Sequence, residues 1–241
     1  MRVLSIMLLI ALLGASAALP AQSRDDNWNR CEGDDPDLSI VGCTALIQSG
    51  QENNTNLAGA FRNRGIAYDA KGDYDRAIQD FNQALQLNPN FADAFSSRGS
   101  AYDDKGDYDR AIQDYGQVIA LRPNDAGAFN ARCFDRAILG KLELALADCN
   151  HALTLLPKDA DTLDSRGFAY LKLKNPDAAI ADYNAALAIS PKMASSLYGR
   201  GLAERIKGNQ AASDKDLATA RKLQPTIAAD FTKWGVPVPT P

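Results

Sequence analysis

The sequence predicts an all-α fold, an α-solenoid of five stacked helix hairpins with a capping helix at each end. Three observations lead there. The string KGDYDRAIQD at residues 71–80 recurs letter for letter at 105–114, an offset of 34 residues. That stride extends without a gap through five units, which begin at Ala58, Ala92, Ala126, Ala160 and Ala194. Position 32 of every unit is proline: Pro89, Pro123, Pro157, Pro191 and Pro225. A period of this length marks units that cannot bury an apolar face alone and must stack on their neighbours.

Within the units, position 8 is Gly65, Gly99, Cys133, Gly167 and Gly201. Position 20 is Ala77, Ala111, Ala145, Ala179 and Ser213, and position 24 is Phe81, Tyr115, Cys149, Tyr183 and Leu217. This pattern resembles the tetratricopeptide-repeat (TPR) family, whose signature is W-x2-L-G-x2-Y, then A-x3-F, then P. The first unit answers it with Phe61-x2-Arg64-Gly65-x2-Tyr68, Ala77-x3-Phe81 and Pro89. The resemblance covers residues 58–227. It implies a right-handed solenoid of antiparallel helix pairs with a concave side that holds a peptide or protein segment. It implies neither a cofactor nor catalysis. The family's leucine at position 7 is instead Arg64, Arg98, Arg132, Arg166 and Arg200, and units three and five replace the position-11 tyrosine with Arg136 and Glu204.

The elements follow in order. Arg2, an apolar run from Val3 to Leu13, and small residues from Gly14 to Ala18 form the pattern of a secretory signal peptide. Residues 1–21 are assigned to it, with Ala17 and Ala21 as alternative cleavage points. The run is too short for a membrane span, which takes about 20 apolar residues. Residues 22–57 hold a polar segment, expected to be mobile over 22–30, and a capping helix around Leu38–Leu46. The units are 58–91, 92–125, 126–159, 160–193 and 194–227. In the first, helices are expected over 58–71 and 74–87, with Gly65 and Ala77 small where the two cross, Phe81 filling the space and Pro89 ending the pair. Residues 228–241 contain a C-terminal cap and a Pro-rich tail. There Phe231 and Trp234, three apart on one face, would close the end of the solenoid, with Gly235 as the helix stop.

Four cysteines stand out. Cys133 replaces the crossing glycine of unit three, and Cys149 replaces the aromatic that faces it. A disulfide between them is expected, worth roughly 3 kcal/mol for a loop of about 15 residues in the chain-entropy picture. Cys31 and Cys43 would pair by elimination. Two disulfides fit an exported protein, periplasmic or secreted. The spacing does not suit a metal, and His151 is the single histidine. No nucleophile–base–acid set and no glycine-rich phosphate loop can be assembled, so no catalytic residue is named. The formal charge of −4 gives no reason to expect nucleic acid as a partner.

Position 23 is aspartate in all five units: Asp80, Asp114, Asp148, Asp182 and Asp216. It lies on the second helix near position 7 of the first, so an Arg–Asp pair is expected in each unit or between neighbours. Family resemblance places positions 2, 5, 9, 12 and 13 on the concave face. Carried over, these give Arg62 and Asp69 in unit one and Asp93, Asp103 and Asp104 in unit two. Unit three gives Asn130 and Phe134, unit four Asp164, Phe168 and Leu171, and unit five Tyr198 and Leu202. The groove would be acidic toward its N-terminal half and apolar toward its C-terminal half, suited to a basic stretch followed by apolar anchors. Packing of Phe134 and Phe168 between adjacent helices is the competing reading. The family's Lys/Asn clamp for a partner's C-terminal carboxylate is not matched, since its positions read Arg62, Ile66, Ser97, Gly127 and Ala131. The sequence therefore points to an extracytoplasmic scaffold or adaptor. The alternatives are a structural envelope protein contacting glycan and, last, an enzyme using groove carboxylates.

Overall fold

The computed structural model describes residues 23–237. The predicted signal peptide and the last four residues of the tail lie outside the described residues. Among the described residues there are thirteen α-helices and no strand. They are α1 (Arg24–Cys31), α2 (Pro36–Ser49), α3 (Asn54–Ala70), α4 (Tyr74–Leu87), α5 (Ala92–Lys105), α6 (Tyr108–Leu121), α7 (Ala126–Ile138), α8 (Leu142–Leu155), α9 (Ala160–Lys172), α10 (Pro176–Ile189), α11 (Ala194–Ile206), α12 (Gln210–Leu223) and α13 (Ile227–Lys233).

Each of the five units is a helix pair, α3–α4 through α11–α12, joined by a turn of two or three residues and packed along its length. Short turns make neighbouring helices antiparallel. The side chains of Asp73, Asp107 and Asn175 accept from the backbone N–H three residues on and so start the second helices. The turns need one left-handed residue, supplied by Gly72, Gly106, Gly140 and Gly208; in the fourth unit Lys174 adopts it at φ 57°.

The crossing works as the repeat pattern requires. A Cβ on Gly65 would lie 2.6 Å from the Phe81 ring, and one on Gly99 or Gly167 would lie 2.9 Å from Tyr115 or Tyr183. In unit three that contact is a disulfide between Cys133 and Cys149, with Cα atoms 5.5 Å apart. Cys31 and Cys43 are likewise bonded, with Cα atoms 4.6 Å apart.

A ladder of charge holds the units together. Arg64, Arg98, Arg132, Arg166 and Arg200 each grip both carboxylate oxygens of the position-23 aspartate of their own unit at 2.6–2.9 Å. The same guanidinium donates its remaining Nη1 to the preceding helix pair. It reaches Thr44 at 3.0 Å, Asn82 at 2.5 Å, Asn150 at 2.8 Å and Asn184 at 2.7 Å. Each arginine thus bolts a unit to its predecessor. The exception is Arg132, which faces Gly116; there Arg136, standing in for the lost tyrosine, binds Asp148 at 2.6 Å as a second partner. The aspartates are buried, so a bidentate partner is what makes their charge tolerable.

One expectation about the ends needs correction. Residues 24–31 are helical rather than mobile. Ser23 and Asp26 form a reciprocal cap, Arg24 and Trp28 both bind Glu52, and the Cys31–Cys43 bond ties α1 to α2. The pair α1–α2 is a shortened hairpin, and α3 starts one turn earlier than the first helices of later units. At the other end the expected capping helix is α13, which packs on α11 and α12 of the last unit and whose Phe231 and Trp234 reach further, as described below.

Candidate binding groove

First helices of neighbouring units touch one another, α3 with α5, α7 with α9 and α9 with α11. Among the described residues, second helices make no contact of that extent with each other. The first helices therefore line the tighter, inner side of the stack, and the groove positions lie there.

The N-terminal half of this face carries a row of carboxyls. Asp69 sits at the end of α3, Asp103 and Asp104 at the end of α5, and Asp135 on α7. The Tyr115 hydroxyl donates to Asp103 Oδ2 at 2.6 Å. Asp69 Oδ1 and Asn130 Oδ1 are buried with no hydrogen-bond partner, whereas the Asp103 and Asp135 carboxyls face each other within hydrogen-bond reach. Burial, followed by repulsion from Asp104, pushes the Asp69 carboxyl up to about 6. Burial raises Asp103 too, and burial with the adjoining Asp103 carboxylate pushes Asp135 far above the usual carboxylate range. Two buried carboxyls in contact cannot both ionise, so the Asp103–Asp135 pair holds a proton. At the rim, Asp93 is engaged instead with Arg122 at 2.6 Å, which holds its carboxyl low, and Arg62 leaves its Nε unpartnered.

The C-terminal half is apolar and covered over most of its length, with a cleft of about 360 Å³ left beside Leu171, Leu202, Ile206 and Val236. The chain turns back after α12 and lays α13 across the first helices of units three to five. Trp234 packs edge-on against Phe134 and Phe168, with ring centroids 5.1 and 5.9 Å away, and Phe231 packs on Phe168 and Tyr198 at 5.8 and 4.8 Å. Phe168 and Tyr198 keep 2% and 0% of their surface, and Leu171 and Leu202 are buried with them. Lys172 fastens the lid, donating to Ile138 O at 2.7 Å and Trp234 O at 2.9 Å, the carbonyl ends of α7 and α13. Phe134 and Phe168 do pack on each other, at 5.5 Å, yet what covers them is α13. Between the halves, Asp164 accepts from Ser196 at 2.5 Å, and burial pushes it up to about 6.

The expected groove residues thus fall into two groups. Asp69, Asp103, Asp104 and Asn130 line open surface with Arg62 and Asp93 at its edge; Phe168, Leu171, Tyr198 and Leu202 lie under the chain's own last helix, with Phe134 between. Asp135 was not singled out from sequence. Its signal is a break in the repeat: position 10 is Ala67, Ala101, Ala169 and Ala203 in the other units. His151 rests against the Phe129 ring at 4.3 Å on an exposed surface. No group of three or more His, Cys, Asp or Glu among the described residues is arranged to hold a metal ion. No helix among them is long and apolar enough to cross a membrane.

Comparison with known proteins agrees with this architecture. Tetratricopeptide-repeat profiles match residues 58–91, 92–125 and 160–193. Units 126–159 and 194–227, which carry the substituted signature residues, lie outside those spans. A tetratricopeptide-repeat protein from Parabacteroides merdae superposes with a TM-score of 0.72 at 17% identity, covering 87% of this chain and 85% of that one. MamA from Desulfovibrio magneticus gives 0.60 at 20% identity over 70% of this chain and 96% of its own. YrrB, described as a TPR protein with an unusual peptide-binding site, gives 0.57 at 21% identity over 79% and 97%. A comparison with curated protein sequences returns no significant match. With the 34-residue stride, the glycine crossings, the helix pairs and three matched units in agreement, the chain is a tetratricopeptide-repeat protein.

Proposed function

We propose that this protein is an extracytoplasmic scaffold that docks a basic peptide or protein segment on the acidic half of its inner face. The observation that carries the reading is the row Asp69, Asp103, Asp104 and Asp135. Burial raises the carboxyls of Asp69, Asp103 and Asp135, and Asp69 Oδ1 lacks a partner. A cationic segment would supply that partner and relieve the repulsion. Much of the apolar half is filled by α13, so an apolar anchor on the partner either enters the cleft beside Leu171, Leu202 and Ile206 or displaces α13. Placement outside the cytoplasm rests on the pairing of all four cysteines and on the signal-like start of the sequence. YrrB's described peptide-binding site lends support by similarity of fold alone.

The test is a binding titration of the chain with labelled peptides of equal length carrying lysines, glutamates or neither. Preferential retention of the lysine peptide, weakened by salt and by Asp69→Asn with Asp104→Asn, is expected. Equal retention of all three, or sedimentation with cell-wall polymer in place of peptide binding, contradicts the reading. N-terminal sequencing of the exported protein checks the location: a mature start near residue 18 or 22 is expected.

A further inference from the structure

We propose that the cleft between α9, α11 and residues 235–237 binds a medium-chain fatty-acid anion, its alkyl chain on the aliphatic lining and its carboxylate at the cationic rim. The inference goes beyond the peptide-docking reading and does not depend on it. The cleft has a volume of about 360 Å³, within the range of small-ligand pockets, roughly 300–1,000 Å³. Leu171, Leu202, Ile206 and Val236 give it an apolar lining, and Ile206 keeps 55% of its surface exposed. Its charged residues are all cations, Lys172, Lys174 and Arg205, and among the described residues no carboxylate or aromatic ring lines it. An aliphatic chain with one anionic head matches both features. A peptide backbone matches them less well: it would bring N–H groups to a lining whose side chains offer no acceptor.

The rim cations have donors to spare. Lysines in the turns of the other units pair with an aspartate of the preceding helix pair: Lys71 with Asp37, Lys105 with Asp75, Lys141 with Asp109 and Lys207 with Asp177. Lys174, in the same turn of unit four, makes no ion pair among the described residues. An acid is present for it, since Glu143 stands at the position of Asp75, Asp109 and Asp177. Lys174 also takes the left-handed place that is glycine in the other four units, at φ 57°, a conformation that costs an L-residue free energy. Neither the turn nor the ion pairing therefore asks for a lysine there. Arg205 donates Nη2 to Asp214 at 3.1 Å, while its Nε is buried with no partner. Lys172 gives one N–H to Ile138 O and one to Trp234 O and keeps a third. Burial holds its ammonium below the usual range, and a carboxylate beside it would reverse that. The carbonyl ends of α9 and α11 add about half a negative charge each, short of the three cations on the rim.

The test titrates the full chain with sodium octanoate, 1-octanol, n-octylammonium chloride and a capped leucyl-glutamate dipeptide, read at the methyl resonances of Leu202, Ile206 and Val236. Octanoate should give a saturable shift at a Kd of about 0.1 mM, the scale for about ten heavy atoms. Octanol should bind about fivefold more weakly, and octylammonium more weakly still. Lys174→Gly, which restores the repeat's own residue, should weaken octanoate about threefold, leave octanol unchanged and keep the melting temperature equal or higher. Arg205→Gln should weaken octanoate in the same selective way. Ile206→Ser, at an exposed position that folding does not require, should weaken octanoate and octanol alike. An unsaturable shift, equal affinity for octanoate and octylammonium, or unchanged octanoate binding in both Lys174→Gly and Arg205→Gln overturns the seat. Tighter binding of the dipeptide than of octanoate assigns the cleft to a partner's segment and overturns it as well. Lysine-peptide retention is read separately: if it is absent while octanoate binds, the acidic-groove reading falls and this seat stands.

Discussion

The two halves of the inner face are built on the same backbone and finish in opposite states. Around α9 and α11 the inward positions hold Phe168, Leu171, Tyr198 and Leu202, and the chain's own α13 covers them. Around α3 and α5 positions 5, 9 and 12 hold Arg62, Ile66 and Asp69, then Ser96, Ser100 and Asp103, a largely polar set that only the end of α13 borders. Exposed aromatic and aliphatic surface has a large free energy of transfer, so a nearby segment with Phe231 and Trp234 collapses onto it. Carboxylates are solvated well and attract no apolar segment. The repeat therefore dictates a face, and the residues at positions 5, 9 and 12 decide whether the chain itself or another molecule meets it.

The strongest way to break this contrast is to release the lid. Phe231→Ala empties a fully buried site against Phe168 and Tyr198 and should cost about 4 kcal/mol in urea unfolding. A dye that fluoresces on apolar surface should then light up, and the apolar half should gain binding capacity. Next in size is a feature common to both halves. Asp182→Ala leaves Arg166 without its bidentate partner and should cost about 3 kcal/mol. A double-mutant cycle with Arg166→Ala should show coupling well above 0.5 kcal/mol; additive effects would mean that the ladder is ornamental.

Smaller and of opposite sign is the effect of Asp135→Ala. Removing one of two abutting buried carboxyls should stabilise the fold by about 1 kcal/mol, seen as a higher urea midpoint. A loss of stability would contradict the crowding described here. The mildest effect expected is a drift with pH. Asp69 and Asp164 are raised from 3.8 to about 6, so the folded chain holds more protons than the unfolded one in that window. Stability should be greatest at the acid end and fall as pH rises through about 6. The drift should be shallower in Asp69→Asn, and a rise in stability across the same window would refute the assignment.

Much of this could be read from the sequence because a repeat multiplies weak signals. One glycine means little, but Gly65, Gly99, Gly167 and Gly201 opposite Phe81, Tyr115, Tyr183 and Leu217 describe a crossing, and five Arg–Asp pairs at fixed positions describe the ladder that holds it. Cys133 and Cys149 were legible for the same reason, as paired exceptions. What stayed hidden depends on contacts outside the stride. α1 is polar, and it is ordered by Glu52, 28 residues from Arg24, and by a disulfide. The docking of α13 rests on Trp234 meeting Phe134 a hundred residues away, which no local pattern encodes. Asp135 was visible as a break at position 10, but its meaning needed Asp103 from the neighbouring unit beside it.

The most direct measurement is photo-crosslinking of the full chain with a lysine-rich peptide that carries the reactive group at its centre, followed by mapping of the modified residues. Modification concentrated on α3, α5 and α7 near Asp69, Asp104 and Asn130, and suppressed by salt, is the predicted result. Modification on the outer helices α4, α6 and α8, or an equal yield with a glutamate-rich peptide, would contradict the division of the inner face into an open acidic half and a largely covered apolar one.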